Sequence, residues 1–320
     1  TVKNDRTNTH GNRSILCGEK IAEIRIYSGQ FQLKTRRRYF MKKKAYSLGS
    51  LAAAILLISC GSGDNTSNVV TGEGYPNPNP IIENEWGDLP DGRQWGSTAG
   101  IDIDPTDGHV VGYERCGAGA LGGSRVNCDT NPVDPIFKFD RHTGEVWANF
   151  GGGGMVTPHG IHVDDEGNVW VADFAGNAAR TKGHQVHKFS SDGELLMSLG
   201  TAGQPGNDQN HLNQPNDVIV GPDGSIYVAD GHSGQNMLSA DALEEGRSAE
   251  LTARIVKYAA DGTYMMEWGQ LGMRHGEFRT PHALEFDSQG RLWVADRGNH
   301  RLELFDQDGN YLESRYSYGR

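Results

Sequence analysis

No apolar stretch in this 320-residue chain is long enough to cross a bilayer as a helix; the longest, residues 48–58, falls well short of the roughly 20 residues that a span needs. Cysteine is scarce, at four residues, and no two stand in a C-x-x-C spacing. A disulfide-stapled miniprotein and a zinc ribbon are therefore both out of view. Long runs of helical period are few, whereas glycine is abundant at 44 residues, which favours a turn-rich all-β chain. Basic charge is missing from most of the length. Residues 1–59 hold 12 of the 30 Lys and Arg and only 3 of the 41 Asp and Glu, so residues 60–320 carry 18 basic against 38 acidic side chains, a net charge of −20. Nucleic-acid binding draws most of its affinity from phosphate neutralisation, and adhesion to anionic lipid needs a basic surface, so neither partner is expected.

In place of these features the chain has a repeat. TPHGIHVDDEGNVWVAD begins at Thr157, QPNDVIVGPDGSIYVAD at Gln214 and TPHALEFDSQGRLWVAD at Thr280. In each copy a proline (Pro158, Pro215, Pro281) precedes by 15 residues an aspartate (Asp173, Asp230, Asp296) that closes a Val-Ala-Asp triplet. An alternating apolar run, an acidic-glycine turn and a second apolar run read as a β-hairpin. The copies start 57 and 66 residues apart, which leaves room for two more strands in each. Four strands per repeat is the unit of a β-propeller blade. A divergent first copy, GIDIDPTDGHVVGYERCGAG from Gly100, places Tyr113-Glu114-Arg115 at the triplet. The expectation is an all-β propeller of four-stranded blades, four of them present and too few to close a ring, with the segment around Trp86 as an outer strand completing the last blade. An acidic insert from Ser239 lengthens the third blade and is expected to form a short helix on a rim.

The N-terminal region has a different character. Residues 1–40 contain no repeat and are expected to be a non-native extension ahead of Met41. Residues 41–59, with Lys42, Lys43 and Lys44 before the apolar run and Ser59 before Cys60, have the layout of an export signal. Residues 60–85 are polar and rich in Gly, Asn and Pro, as a flexible tether would be, and residues 86–320 form the propeller. Cys116 and Cys128 either pair as a loop disulfide in an oxidising compartment or stay as thiols.

Two histidines carry most of the chemical information. His159 and His282 each follow the repeat proline at the start of an innermost strand, in blades two and four, with Asn216 at that position between them. In a six-bladed ring alternate blades are about 120° apart, so a third histidine in blade six would complete a three-ligand zinc site with one open position. The alternative is that the proline-histidine step packs and hydrogen bonds at the channel mouth. Recurrence of Asp173, Asp230 and Asp296 in every copy points to architecture, as turn acceptors.

VADRGNHRLELFDQDG, residues 294–309, resembles the NHL repeat. GQPGNDQNHLNQPNDV, residues 203–218, together with TPHGI, ADG and TPHAL in matching order, is similar to the peptidyl-α-hydroxyglycine α-amidating lyases, over about two-thirds of the chain. The ending Leu57-Ile58-Ser59-Cys60 resembles a bacterial lipoprotein box, which implies lipidation of Cys60, a place in the cell envelope and membrane attachment through the lipid alone. The lyase resemblance implies a monomeric six-bladed propeller that cleaves the C–N bond of a peptide's terminal α-hydroxyglycine, giving a peptide amide and glyoxylate.

Carried over residue by residue, the resemblance assigns His159 and His282 to a zinc site and Arg115 to the catalytic arginine. It gives the backbone carbonyls of Ile101 and Ile161 to a structural calcium. Where that family has a tyrosine after the Asp-Gly of the third blade, this chain has His232, whose imidazole is suited to act as the base near neutral pH. The family's third zinc histidine lies in a sixth blade. Two further blades beyond Arg320 are expected from the repeat spacing. The alternative function is a non-catalytic propeller that binds protein or glycan at the envelope.

Overall fold

The computed structural model describes residues 13–17, 20–27, 30–36, 86–117, 127–235 and 251–316. The chain divides into two units, Thr1–Ile81 and Ile82–Arg320. In the first, β1 (Arg13–Cys17), β2 (Lys20–Tyr27) and β3 (Gln30–Arg36) form an antiparallel meander. These strands belong to no copy of the repeat and are not foreshadowed by it. The segments expected to be an export signal (residues 41–59) and a tether (60–85), the expected lipidation site Cys60 and residues 239–250 of the acidic insert lie outside the described residues.

The second unit contains four four-stranded antiparallel sheets, each a meander in chain order, as the repeat requires. The first is β4 (Ile101–Ile103), β5 (Val110–Tyr113), β6 (Ile136–Phe139) and β7 (Val146–Phe150). The second is β8 (Pro158–Val163), β9 (Val169–Asp173), β10 (Gln185–Phe189) and β11 (Leu195–Leu199). The third is β12 (Pro215–Val220), β13 (Ile226–Asp230), β14 (Arg254–Tyr258) and β15 (Tyr264–Trp268), and the fourth is β16 (Pro281–Phe286), β17 (Leu292–Asp296), β18 (Arg301–Phe305) and β19 (Tyr311–Tyr316). The first strands β4, β8, β12 and β16 neighbour one another in turn, which makes them the channel-side strands of four propeller blades.

The second strand of each blade explains why its sequence is apolar throughout. In β9, Val169 and Val171 pack with Val111, Tyr113 and Ile136 of the first blade. The alternate residues Trp170 and Ala172 pack with Val218, Val228 and Val256 of the third. A strand buried on both faces has no solvent side on which to place polar residues. In β17 the alternation shows in the burial itself, with Leu292, Val294 and Asp296 buried and Trp293 and Ala295 only half-buried.

Two expectations are corrected in the first blade. Its register pairs Ile101 with Gly112 and Ile103 with Val110, as Ile161 pairs with Val171 and Val163 with Val169 in the second. Gly112-Tyr113-Glu114 therefore stands where Val-Ala-Asp stands elsewhere, and Arg115 is the residue after the triplet. An extra residue in the β4–β5 turn hides this one-place shift in the sequence. Nor does the segment around Trp86 complete the last blade. Trp86 and Leu89 cluster with Phe137 and Phe139 of the first blade, because that outer face offers two phenylalanines to cover.

The repeated carboxylates are turn acceptors. Asp173 accepts the backbone N–H of Val156 and Thr157, Asp230 that of Asn213, and Asp296 those of Arg279 and Thr280. In blades three and four a buried arginine on the third strand completes the device: Arg254 meets Asp230 and Arg301 meets Asp296. Arg254 also donates to the carbonyls of Asn207 and His211, which pins the DQNH loop. His211 itself pairs with Asp208.

Candidate metal centre

His159, His232 and His282 converge, with one ring nitrogen of each lying within 4.8 Å of the others. Ring centroids are 4.7 Å apart for His159 and His282, 5.1 Å for His159 and His232, and 5.9 Å for His232 and His282. The first and last come from β8 and β16, as the proline-histidine spacing indicates. His232 arrives by another route, from the 3-10 turn His232–Gln235 that follows the third blade's Asp230-Gly231. A Cβ at Gly231 would lie 2.5 Å from the Thr252 carbonyl oxygen, so only glycine lets the chain turn there and bring His232 inward. The third imidazole of this cluster is thus on the third blade, at the position read from the sequence as the base.

The close approach of β8 and β12 sets the orientation of His159. At Gly160 a Cβ would lie 2.5 Å from the Asn216 carbonyl oxygen. With glycine there, His159 Nδ1 reaches that carbonyl at 2.9 Å. A carbonyl only accepts, so Nδ1 carries the proton and Nε2 keeps its lone pair. Asn216 also donates from Nδ2 to the Pro281 carbonyl at 2.5 Å, tying together the strands that bear His159 and His282. Tyr113 donates its hydroxyl to the His159 carbonyl.

Two guanidinium groups flank the histidines. Arg115 donates from Nε to the Pro158 carbonyl at 2.9 Å and lies over the Phe174 ring at 5.7 Å. The two carboxylates near it in sequence pair with other cations, Glu114 with Arg93 and Asp129 with Lys182. Arg297 donates from Nη1 to His282 Nε2 at 2.8 Å and approaches His232 Nε2 at 3.5 Å. Arg297 and Phe174 are two site residues that the repeat pattern alone does not single out. Their signal was present: both follow the repeat carboxylate, as Arg115 does. The Cys116–Cys128 disulfide, with Cα atoms 4.9 Å apart, sits beside Arg115.

Burial, followed by the charges of its neighbours His282 and Arg115, pushes the His159 pKa down to about 2. Burial and then Arg297 push His232 and His282 down to about 4. All three imidazoles are therefore neutral at pH 7, the state in which histidine binds metal. Three neutral imidazoles, one with its tautomer fixed by a backbone carbonyl, make a donor set that fits zinc with a fourth position open. Ile101 and Ile161 line the same channel, a cavity of about 220 Å³, together with Asp102, Asp217 and Glu285. Burial raises the Asp217 carboxyl to about 7.

Known proteins place this arrangement in context. Residues 278–305 match the NHL repeat model. The chain is 36% identical over 177 residues to peptidyl-glycine alpha-amidating monooxygenase B of Xenopus laevis, a match covering 53% of this chain and 17% of that protein. It is 29% identical over 231 residues to a probable peptidyl-alpha-hydroxyglycine alpha-amidating lyase of Caenorhabditis elegans, covering 67% of this chain and 56% of the relative. To human NHL repeat-containing protein 3 it is 37% identical over 164 residues, covering 49% and 41%. In each case the match spans less than two-thirds of the relative's length. The chain is a β-propeller that carries an NHL repeat at residues 278–305 and is similar to the peptidyl-α-hydroxyglycine α-amidating lyases.

Proposed function

We propose that this propeller is a zinc-dependent lyase that cleaves the C–N bond of peptidyl-α-hydroxyglycine, or of a related N-acyl-α-hydroxyglycine, to an amide and glyoxylate. The observation that carries this reading is the convergence of His159, His232 and His282 between two guanidinium groups. Zinc, when bound, supplies a Lewis acid that lowers the pKa of a substrate hydroxyl. In the overall change the α-hydroxyl loses its proton, its oxygen becomes the aldehyde oxygen of glyoxylate, and the C–N bond electrons leave on nitrogen, which takes up a proton. Arg115 and Arg297 supply two fixed positive charges for the substrate carboxylate and for negative charge developing on oxygen. Burial of His159 keeps water from that side of the reacting atoms.

His232 has two exclusive roles in this scheme. A histidine that gives its lone pair to a metal cannot also take a proton with it, so ligand and base are alternatives. Replacement of His232 by alanine decides between them: loss of bound zinc identifies a ligand, and zinc retained with turnover abolished identifies a base. Arg115→Ala is expected to abolish turnover with zinc retained. The Cys116–Cys128 disulfide supports an exported setting for the protein, as a lipoprotein anchored at Cys60 would have. A calcium held by Ile101 and Ile161 would strengthen the channel that carries the histidines.

A second reading, a non-catalytic propeller that binds protein or glycan at the envelope, is favoured by one contact. The Arg297 guanidinium already donates to His282 Nε2, the atom a metal would use. Elemental analysis of the purified protein together with a glyoxylate assay separates the two readings.

A further inference from the structure

One or two residues after the buried carboxylate of each repeat stands a side chain that reaches the site. In the first blade Glu114 is followed by Arg115, in the third Asp230-Gly231 by His232, and in the fourth Asp296 by Arg297. Two blades thus deliver a guanidinium of the site directly after the carboxylate, and the third delivers an imidazole one residue later. The second blade delivers Phe174, directly after Asp173. Its ring belongs to none of the hydrophobic clusters that hold the blades together, although a phenylalanine is ordinarily core material. It touches the site instead. The ring stacks on His232 at 4.9 Å and 30°, meets His159 edge-on at 5.4 Å, and lies beneath the Arg115 guanidinium. It is only partly buried, so apolar surface remains open beside the histidines.

We infer that Phe174 is the specificity-determining wall of the site and selects substrates whose acyl group, next to the α-hydroxyglycine nitrogen, is apolar or aromatic. This rests on the lyase reading. The other rim positions after the carboxylates are charged or polar, and two guanidinium groups suit the carboxylate end of the substrate. The acyl end can then lie against the open face of the Phe174 ring, the apolar group that touches both His159 and His232. Burial of a flat acyl group on Phe174 favours it over a small one without changing the bonds made and broken.

The test compares glyoxylate release from N-benzoyl- and N-acetyl-α-hydroxyglycine by the zinc-loaded protein and its Phe174→Leu and Phe174→Tyr variants. The expected result is a wild-type preference for the benzoyl substrate in kcat/KM that Phe174→Leu reduces by about fivefold to tenfold, the scale of one aromatic contact. Phe174→Tyr keeps the preference, and bound zinc is unchanged in both variants. Equal rates for the two substrates in the wild type, a uniform loss on both in Phe174→Leu, or loss of zinc would each overturn the inference and leave the lyase reading standing. If the wild type releases no glyoxylate from either, the lyase reading has failed. The wall is then decided by calorimetry with unreactive N-benzoylglycine and N-acetylglycine: tighter benzoyl binding that Phe174→Leu abolishes supports it, and equal binding overturns it.

Discussion

Arg297 donates a hydrogen bond from Nη1 to Nε2 of His282 at 2.8 Å, so a guanidinium holds the lone pair that a metal would take. The same positive charge contributes to the lowered pKa of His282, after burial. In Arg297→Ala the His282 pKa of the metal-free protein is expected to rise from about 4 toward the ordinary histidine value. Zinc should bind about tenfold more tightly, since one unit charge a few ångströms away has been removed. Proton NMR titration and a chelator competition measure both; weaker zinc binding in the variant contradicts this account of the contact.

The lowered histidine pKa values also set the pH range of the metal. Protons compete for these lone pairs only as the pH falls toward about 4, where His232 and His282 titrate. Half of the zinc should be released on dialysis at about pH 4 to 5, against about 6 to 6.5 for exposed histidines. In the metal-free protein the unfolded chain binds more protons between these values, so the stability these histidines contribute is complete above about 6.5 and is lost as the pH falls through about 4. Zinc release centred near pH 6.5 is the opposing outcome.

Removing the Cys116–Cys128 crosslink should cost about 3 kcal/mol, from the entropy returned to the unfolded chain by opening a short loop. Comparison of Cys116→Ser/Cys128→Ser with the wild type by denaturant unfolding, without reductant, checks this. Equal midpoints would show that the two cysteines are not joined in the folded protein.

Arg301 joins the carboxylate of Asp296 to the carbonyls of Met273, Arg274 and Glu277 and is almost fully buried. Arg301→Met should destabilise the protein by about 3 to 5 kcal/mol, because it strands a buried carboxylate. In the second blade Gln185 stands opposite Asp173, where no arginine is available, and burial raises that carboxyl to about 7. Gln185→Met should therefore cost less, about 1 kcal/mol. Equal losses in the two variants would mean that the arginine adds nothing to the turn.

The blades were legible in the sequence because burial on both faces forces an apolar second strand and a shared turn chemistry at constant spacing. His159 and His282 were legible for the same reason, since they ride on the repeat proline. His232 was visible as a residue, but its place beside them was not. It depends on a 3-10 turn made after Gly231, and no periodicity describes such a turn. The first blade was read one place out of register because its hairpin turn is one residue longer than the others. Trp86 carried no positional signal, since an aromatic residue outside the repeat can cover any exposed apolar face. It covers that of Phe139.

The most direct test of the central claim is zinc stoichiometry paired with glyoxylate release, measured on the same preparations of the wild type and of His159→Ala, His232→Ala and His282→Ala. The account predicts one zinc per chain and glyoxylate from an α-hydroxyglycine peptide in the wild type, with most of the metal and all of the turnover lost when His159 or His282 is replaced. A wild-type protein that takes up no zinc and releases no glyoxylate would contradict it.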